Sequence, residues 1–278
     1  MLDYAIEIHE SIPSSNNVVK RAIEEDVPEG LVVCTYQQTA GYGRLGRSWV
    51  SPFGGMYCSL LLRPRVLLQD LPALSLVVAL ALKRALVTFL PEGKSDLLGI
   101  KWPNDLVVLN DPSTGFLEAG RFRKVSGISL ERHAGGTCVG VGVNMIRPFE
   151  RQVVGGKNTP VFLVELMGEG LDEFEAEPAV GEEGLSAGQR RLIMSVCSAF
   201  LHSFRPLYEQ WCSEGLGSLA QEYGANLCLL GQHIQMVNQS DQRIIAGVAT
   251  GVDAQGRLLL ATDDGVTTAV ASGEVTLL

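Results

Sequence analysis

The sequence predicts an α+β protein: a mixed, largely antiparallel sheet flanked by helices, followed by a small C-terminal β-barrel. Three observations predict it. Strand-like runs follow one another across short turns, without the regular strand–helix alternation of a doubly wound fold. Two longer segments, Asp70 to Leu90 and Gln189 to Cys212, carry helical apolar patterns. From about Asn226 onward, short alternating runs recur at close spacing, about five or six strands in about fifty residues. The expected division is residues 1–222 and residues 223–278.

The elements can be justified in order. Ser14-Ser15-Asn16-Asn17 offers capping groups for a helix whose Val18, Val19, Ala22 and Ile23 share one face. Leu31 to Tyr36 reads as a buried strand, Gly41 to Gly55 as a glycine-rich basic loop, and Tyr57 to Arg63 as a second strand. Asp70 to Leu90 is a core helix with Pro72 in its first turn and Pro91 as its stop. Leu98 to Lys101 and Leu106 to Leu109 flank the turn Trp102-Pro103-Asn104-Asp105. Asn110 to Arg121 reads as a surface loop. Val125 to Glu131 and Thr137 to Asn144 form a hairpin around His133 to Gly136, and Gly140 to Asn144 is offered as an edge strand able to pair with another chain. Gly168 to Gly188 reads as an acidic flexible insertion, and the helix after it is expected to bend or break before Pro206.

Composition narrows the function. The 278 residues are 46% hydrophobic and 19% charged, enough for a sizeable core. A formal charge of −9 argues against a general nucleic-acid binder. The six cysteines are scattered without a CxxC pair, so buried reduced thiols are expected rather than a zinc knuckle or disulfide framework. The N-terminus lacks a signal pattern, and the longest apolar run, Leu71 to Leu82, is too short to span a bilayer. A cytoplasmic protein with no membrane partner is expected.

Four clusters carry chemistry. In GYGRLGRSWVSPFG, glycines let backbone N–H groups approach an anion, Arg44 and Arg47 suit phosphate or carboxylate, and Trp49 offers a flat face. The loop has neither a P-loop ending nor a dinucleotide fingerprint. In KWPND, Lys101, Asn104 and Asp105 could hold a triphosphate and Mg²⁺. KVSGISLE places Lys124 ahead of Gly127, and GVGVN leaves room over a strand before Asn144. Taken singly, each is also compatible with an ordinary loop, turn or strand.

In this order the clusters resemble the biotin–protein ligases, whose pattern is GRGRxGRxWxSPxG, KWPND, KxxGIL-E and GxGxN. The resemblance runs from about Ser14 to the C-terminus, including the segment Gly251 to Leu260. It implies a class II aminoacyl-tRNA-synthetase-like catalytic fold with an SH3-like C-terminal barrel. It implies ATP-dependent formation of biotinyl-5′-AMP, then transfer of biotin to a lysine of a carboxylase biotin-carrier domain. It assigns biotin to Ser14, Ser15, Asn16, Gln38, Tyr42, Gly43, Arg44, Lys124 and Gly127. It assigns ATP to Arg47, Trp49, Lys101, Asn104, Asp105, Lys124 and Asn144, Mg²⁺ to Asp105, and catalysis to Lys124, Arg44 and Lys101. A monomer or homodimer is compatible with it.

Two departures stand out. Tyr42 replaces the first loop arginine and supplies no cation, so weaker retention of the adenylate is expected, with Tyr42→Arg tightening it. The helix-turn-helix domain of the ligase–repressors is not seen, so repression through DNA is not expected. The alternatives are a lipoate or octanoate protein transferase, which lacks the KWPND-type turn, and a non-catalytic biotin-binding regulator. The Gly41 to Gly55 loop is expected to lack backbone partners and to order only around ligand.

Overall fold

A computed structural model of the chain describes residues 2–109, 122–148, 159–168, 184–237 and 243–278. The expected loop at Asn110 to Arg121, the centre of the acidic insertion and the turn at Asn238 to Asp241 lie outside the described residues. The first sheet contains β1 (Ala5–Ile12), β2 (Leu31–Gln38), β3 (Gly55–Leu62), β4 (Leu98–Lys101), β5 (Asp105–Val108), β6 (Arg123–His133), β7 (Gly136–Asn144) and β8 (Thr159–Pro160). Its order is β1-β2-β3-β7-β6-β5-β4, with β8 beside β6. The β1–β2 and β6–β8 pairs are parallel and the remaining pairs antiparallel, as the mixed-sheet expectation requires.

Helix α1 (Ser15–Glu24) covers one face, and α2 (Leu74–Val87) and α3 (Ala187–Glu214) cover the other. Strand β7 shows why. Val139, Val141 and Val143 join the core under α2 and α3, whereas Cys138 joins the smaller cluster under α1. Alternation at period two therefore separates a thick apolar layer from a face that carries glycine and asparagine at 140, 142 and 144. Helix α2 is apolar nearly all round and buried accordingly; Pro72 sits in a short 3₁₀ turn, Leu71–Ala73, that leads into it.

Three sequence expectations change. β1 was not anticipated: it is an edge strand whose Ile6 and Ile8 are exposed, so it shows no buried alternation to detect. β7 is not an edge strand, because β3 and β6 take both of its sides, and it cannot pair with another chain. Helix α3 runs through Pro206 without interruption. Burial of Phe200, Phe204, Leu207, Tyr208 and Trp211 on one face outweighs the single backbone hydrogen bond that proline removes.

After α4 (Ala220–Asn226) come β9 (His233–Val237), β10 (Arg243–Val252), β11 (Leu258–Ala261), β12 (Thr267–Val270) and β13 (Glu274–Leu277). They form an antiparallel sheet in the order β12-β11-β10-β9-β13. Trp102, in the β4–β5 turn, is 2% exposed and donates from Nε1 to Gly256 O at 2.8 Å, tying this sheet to the first. All six cysteines are free thiols and five are buried. No helix among the described residues is long and apolar enough to cross a membrane. Trp102→Phe should cost about 1–3 kcal/mol, since it strands a buried carbonyl. Urea unfolding measures this, and an unchanged midpoint and slope would remove the contact from any structural role.

Candidate functional site

A cleft of about 740 Å³ opens on the α1 side of the sheet. It is bounded by the N-terminus of α1, the Gly41 to Gly55 loop, the β4–β5 turn, strands β6 and β7, and the C-terminal sheet. Every site residue named from sequence lines it except Ser14, which is buried just before α1. The four clusters, separated by up to about a hundred residues, thus converge on one surface.

One end is a polar network of no net charge. Ser15 donates from its backbone N–H (2.9 Å) and hydroxyl (3.1 Å) to Gln38 Oε1, and Gln38 Nε2 donates to Ser51 Oγ. Ser59 Oγ lies 2.7 Å from Ser15 Oγ and donates to Asn16 Oδ1 at 2.6 Å. Asn16 Nδ2 donates to Ser129 Oγ and to Glu131 Oε1, and Glu131 is paired with Lys20 at 2.7 Å. A buried polar cluster this fully paired fixes its rotamers before any ligand arrives.

The other end is cationic. Lys124 Nζ lies 2.6 Å from Asp105 Oδ1 and 5.0 Å from the Trp49 ring centroid. Arg44 Nη1 donates to Asn104 Oδ1 at 3.0 Å, and Asn104 Nδ2 donates to Ile128 O. Burial lowers the Arg44 guanidinium's affinity for its proton, with nearby Asp105 opposing. Lys101 is 6% exposed, with its ammonium 3.8 Å from the Phe122 ring centroid. Burial likewise pushes its pKa down, again opposed by Asp105. Three cations therefore surround one carboxylate, an arrangement that favours an incoming anion.

The glycines act differently from expectation. The space over Gly127 and Gly142 is filled by the chain's own Trp49. A β-carbon at Gly127 would stand 3.0 Å from the indole, and one at Gly142 would stand 2.9 Å from its Nε1. At Gly140 it would meet Asn16 and Ser129. The missing side chains thus seat first the indole and the polar network. Trp49 Nε1 is buried against Gly142 and has no hydrogen-bond partner.

The loop is also better paired than expected. Gln38 N–H reaches Ser51 O, Gly43 N–H reaches Arg47 O, and Trp49 N–H reaches Gly41 O, so residues 42–48 fold back on themselves around a 3₁₀ turn, Arg44–Gly46. Arg47, expected at phosphate, is paired with Glu274 of β13 at 3.0 Å on the cleft rim. Asn144 donates to Lys124 O at 3.1 Å and so steadies the lysine's backbone. Sequence reasoning missed Ser59, Glu131 and Lys20, which back the polar network, and Ser129 and Ser272 to Val275, which line the cleft. Ser129 and Glu131 were readable, since they alternate with Gly127 along β6; the C-terminal residues carried no local signal.

The chain belongs to the biotin/lipoate A/B protein ligase family, whose model matches residues 8–145. The biotin protein ligase C-terminal domain matches residues 229–278. A "Biotin--[acetyl-CoA-carboxylase] ligase" from Paracoccus denitrificans is 30% identical over 82% of this chain and 82% of its own length. The "Bifunctional ligase/repressor BirA" of Bacillus subtilis is 28% identical over 93% of this chain and 70% of its own length. Among solved structures, the Aquifex aeolicus biotin protein ligase in complex with biotin and ATP superposes with a TM-score of 0.68 at 22% identity, covering 98% of both chains, and supports the fold.

The charge cluster makes a stability prediction. Lys101 has a folded pKa below its unfolded one, so its burial destabilises the fold at low pH, and that penalty fades as pH rises through the folded pKa. Lys101→Met should leave stability unchanged or raise it by about 1–2 kcal/mol, most at low pH. Thermal unfolding across a pH series checks this; a large loss at every pH would mean that the ammonium is a net stabiliser.

Proposed function

We propose that this chain is a biotin–protein ligase that activates biotin with ATP as biotinyl-5′-AMP and then biotinylates a lysine on a carboxylase biotin-carrier domain. The observation that carries the reading is the union of two unlike ends in one cleft. The neutral end, Ser15, Asn16 and Gln38, with Ser14 buried just behind it, suits the donors and acceptor of a ureido ring, with Tyr42, Gly43 and Gly127 beside it. The cationic end, Arg44, Lys101 and Lys124, suits phosphates. A ligand spanning both would bring a carboxylate against an α-phosphate.

A carboxylate is a poor acyl donor until its oxygen carries a good leaving group. Attack of the biotin carboxylate oxygen on the α-phosphorus forms the acyl–phosphate bond and breaks the bond to pyrophosphate. Negative charge then accumulates on the phosphoryl oxygens, so fixed cations contribute more than proton transfer. We assign that stabilisation to Lys124 and Arg44, and the leaving pyrophosphate to Lys101, Asn104 and Asn144. Trp49 is our adenine platform, assigned for its flat indole beside Lys124. Arg47 would have to exchange Glu274 for phosphate to serve the nucleotide.

Holding Mg²⁺ here would require Asp105 to exchange its ion pair with Lys124, 2.6 Å away, for the ion. Asp105 is the carboxylate we assign to it, with the nucleotide oxygens completing a shell, since magnesium commonly uses one or two carboxylates plus substrate phosphates. The ion would shield the charge of the leaving phosphates. In the second step, the acceptor lysine attacks the acyl carbon and expels AMP, so none of the cysteines is needed as a nucleophile. The free thiols support a reducing, cytoplasmic setting. A monomer and a homodimer both suit this chemistry.

Pyrophosphate release with biotin and ATP tests the assignment. Lys124→Ala and Arg44→Ala should each slow it by about a hundredfold or more. Near-normal release in both would sink those roles. Release with lipoate but not biotin would favour the lipoate reading, and none with either acid would favour a non-catalytic regulator.

A further inference from the structure

We propose that Tyr42 is a positioning residue that clamps the Gly41 to Gly55 loop onto α1 and thereby slows escape of the acyl-adenylate. This rests on the ligase reading above and deepens it. The Tyr42 hydroxyl donates to Asn17 Oδ1 at 3.0 Å, and its ring lies 5.0 Å from Lys20 Nζ. Both partners belong to the first two turns of α1, so a loop residue is held by ring and hydroxyl at once. Burial raises the Tyr42 pKa, with Lys20 opposing, so the hydroxyl stays protonated and able to donate at neutral pH.

The clamp reaches both ends of the cleft. Through Lys20 it joins Glu131, which accepts from Asn16 Nδ2, and Asn16 in turn accepts from Ser59. The polar end of the cleft therefore leads without a break to the loop. On the loop side, Tyr42 faces Ser48 across a β-bridge, and Gly41 O accepts from Trp49 N–H, so fixing residue 42 also fixes the indole above Gly127 and Gly142. Arg44, two residues on, is the cation hydrogen-bonded to Asn104.

This geometry reverses the expectation drawn from sequence. An arginine at 42 would set a guanidinium beside the Lys20 ammonium, where Glu131 is the ion-pair partner and already serves Asn16 as well. Tyrosine presents a ring face to that ammonium, which attracts it. Tyr42 in this chain thus gains its hold from a cation on α1, whereas an arginine here would meet repulsion.

The test uses the full chain with four variants: Tyr42→Ala, Tyr42→Phe, Tyr42→Arg and Asn17→Ala. Three quantities are read: pyrophosphate formation in a single turnover, the half-life of bound biotinyl-5′-AMP after a chase, and trypsin cleavage after Arg44 and Arg47. Tyr42→Ala should shorten the half-life and speed loop cleavage by about tenfold, the equivalent of about 1.4 kcal/mol, whereas Asn17→Ala, which lies outside the binding residues, should leave pyrophosphate formation within about threefold. Tyr42→Phe and Asn17→Ala, which keep the ring, should show about a threefold effect. Tyr42→Arg should match Tyr42→Ala. An unchanged half-life and cleavage rate in Tyr42→Ala, or longer retention in Tyr42→Arg, overturns the clamp. If the unaltered chain forms no pyrophosphate, the ligase reading fails, and loop cleavage alone still decides whether Tyr42 holds the loop.

Discussion

The cleft depends on holding Lys101, Lys124 and Arg44 around the single carboxylate of Asp105. Cations out of water are costly, and one acid does not neutralise three. The excess charge persists because each group is tied to rigid backbone. Lys101 and Asp105 face each other across β4 and β5, Lys124 rises from β6 with its carbonyl held by Asn144, and Arg44 is fastened to Asn104 in the β4–β5 turn. Free to move, these side chains would turn toward solvent. Fixed in place, they present a field that a polyanion relieves, and binding energy becomes available for chemistry.

The opposite face supplies the rigidity. Along β7, alternate residues point into the apolar layer under α2 and α3 while their neighbours form the cleft floor. That layer holds the large buried side chains, including Phe200, Phe204 and Trp211, and α2 contributes ten buried apolar residues to it. The face bearing glycines, by contrast, contributes little apolar burial. A strongly stabilised face thus backs a weakly stabilised one, and the division follows from the period of two in a strand.

Much of this was readable in the sequence, and the reasons for the remainder are physical. The four clusters were visible because glycine, arginine, tryptophan and lysine at fixed spacing are unusual in plain strands and turns. β1 was invisible because an edge strand need not bury alternate residues, and its isoleucines at 6 and 8 are exposed. Pro206 suggested a helix break that tertiary burial overrode. The glycines at 127 and 142 correctly signalled a close approach, but sequence could not say that Trp49 would be what approaches. Glu274 escaped because it is 227 residues from its partner Arg47, in a strand with no motif of its own.

That last contact changes how the C-terminal sheet should be regarded. Trp102, beside the charged turn, is anchored to Gly256, and Arg47, in the charged loop, is anchored to Glu274. Both ties run from segments that border the cationic end of the cleft. They differ in kind. The Trp102 bond is buried and neutral, so it is retained at any salt concentration, whereas the Arg47 pair is partly exposed, screened by salt and weak alone. A buried tie can fix where the sheet sits while an exposed one exchanges for a stronger anion. The C-terminal sheet, which shares the main apolar core, is therefore a wall of the cleft tied to it by both a buried neutral bond and an exposed ion pair. It is the exposed pair whose arginine belongs to the glycine-rich loop.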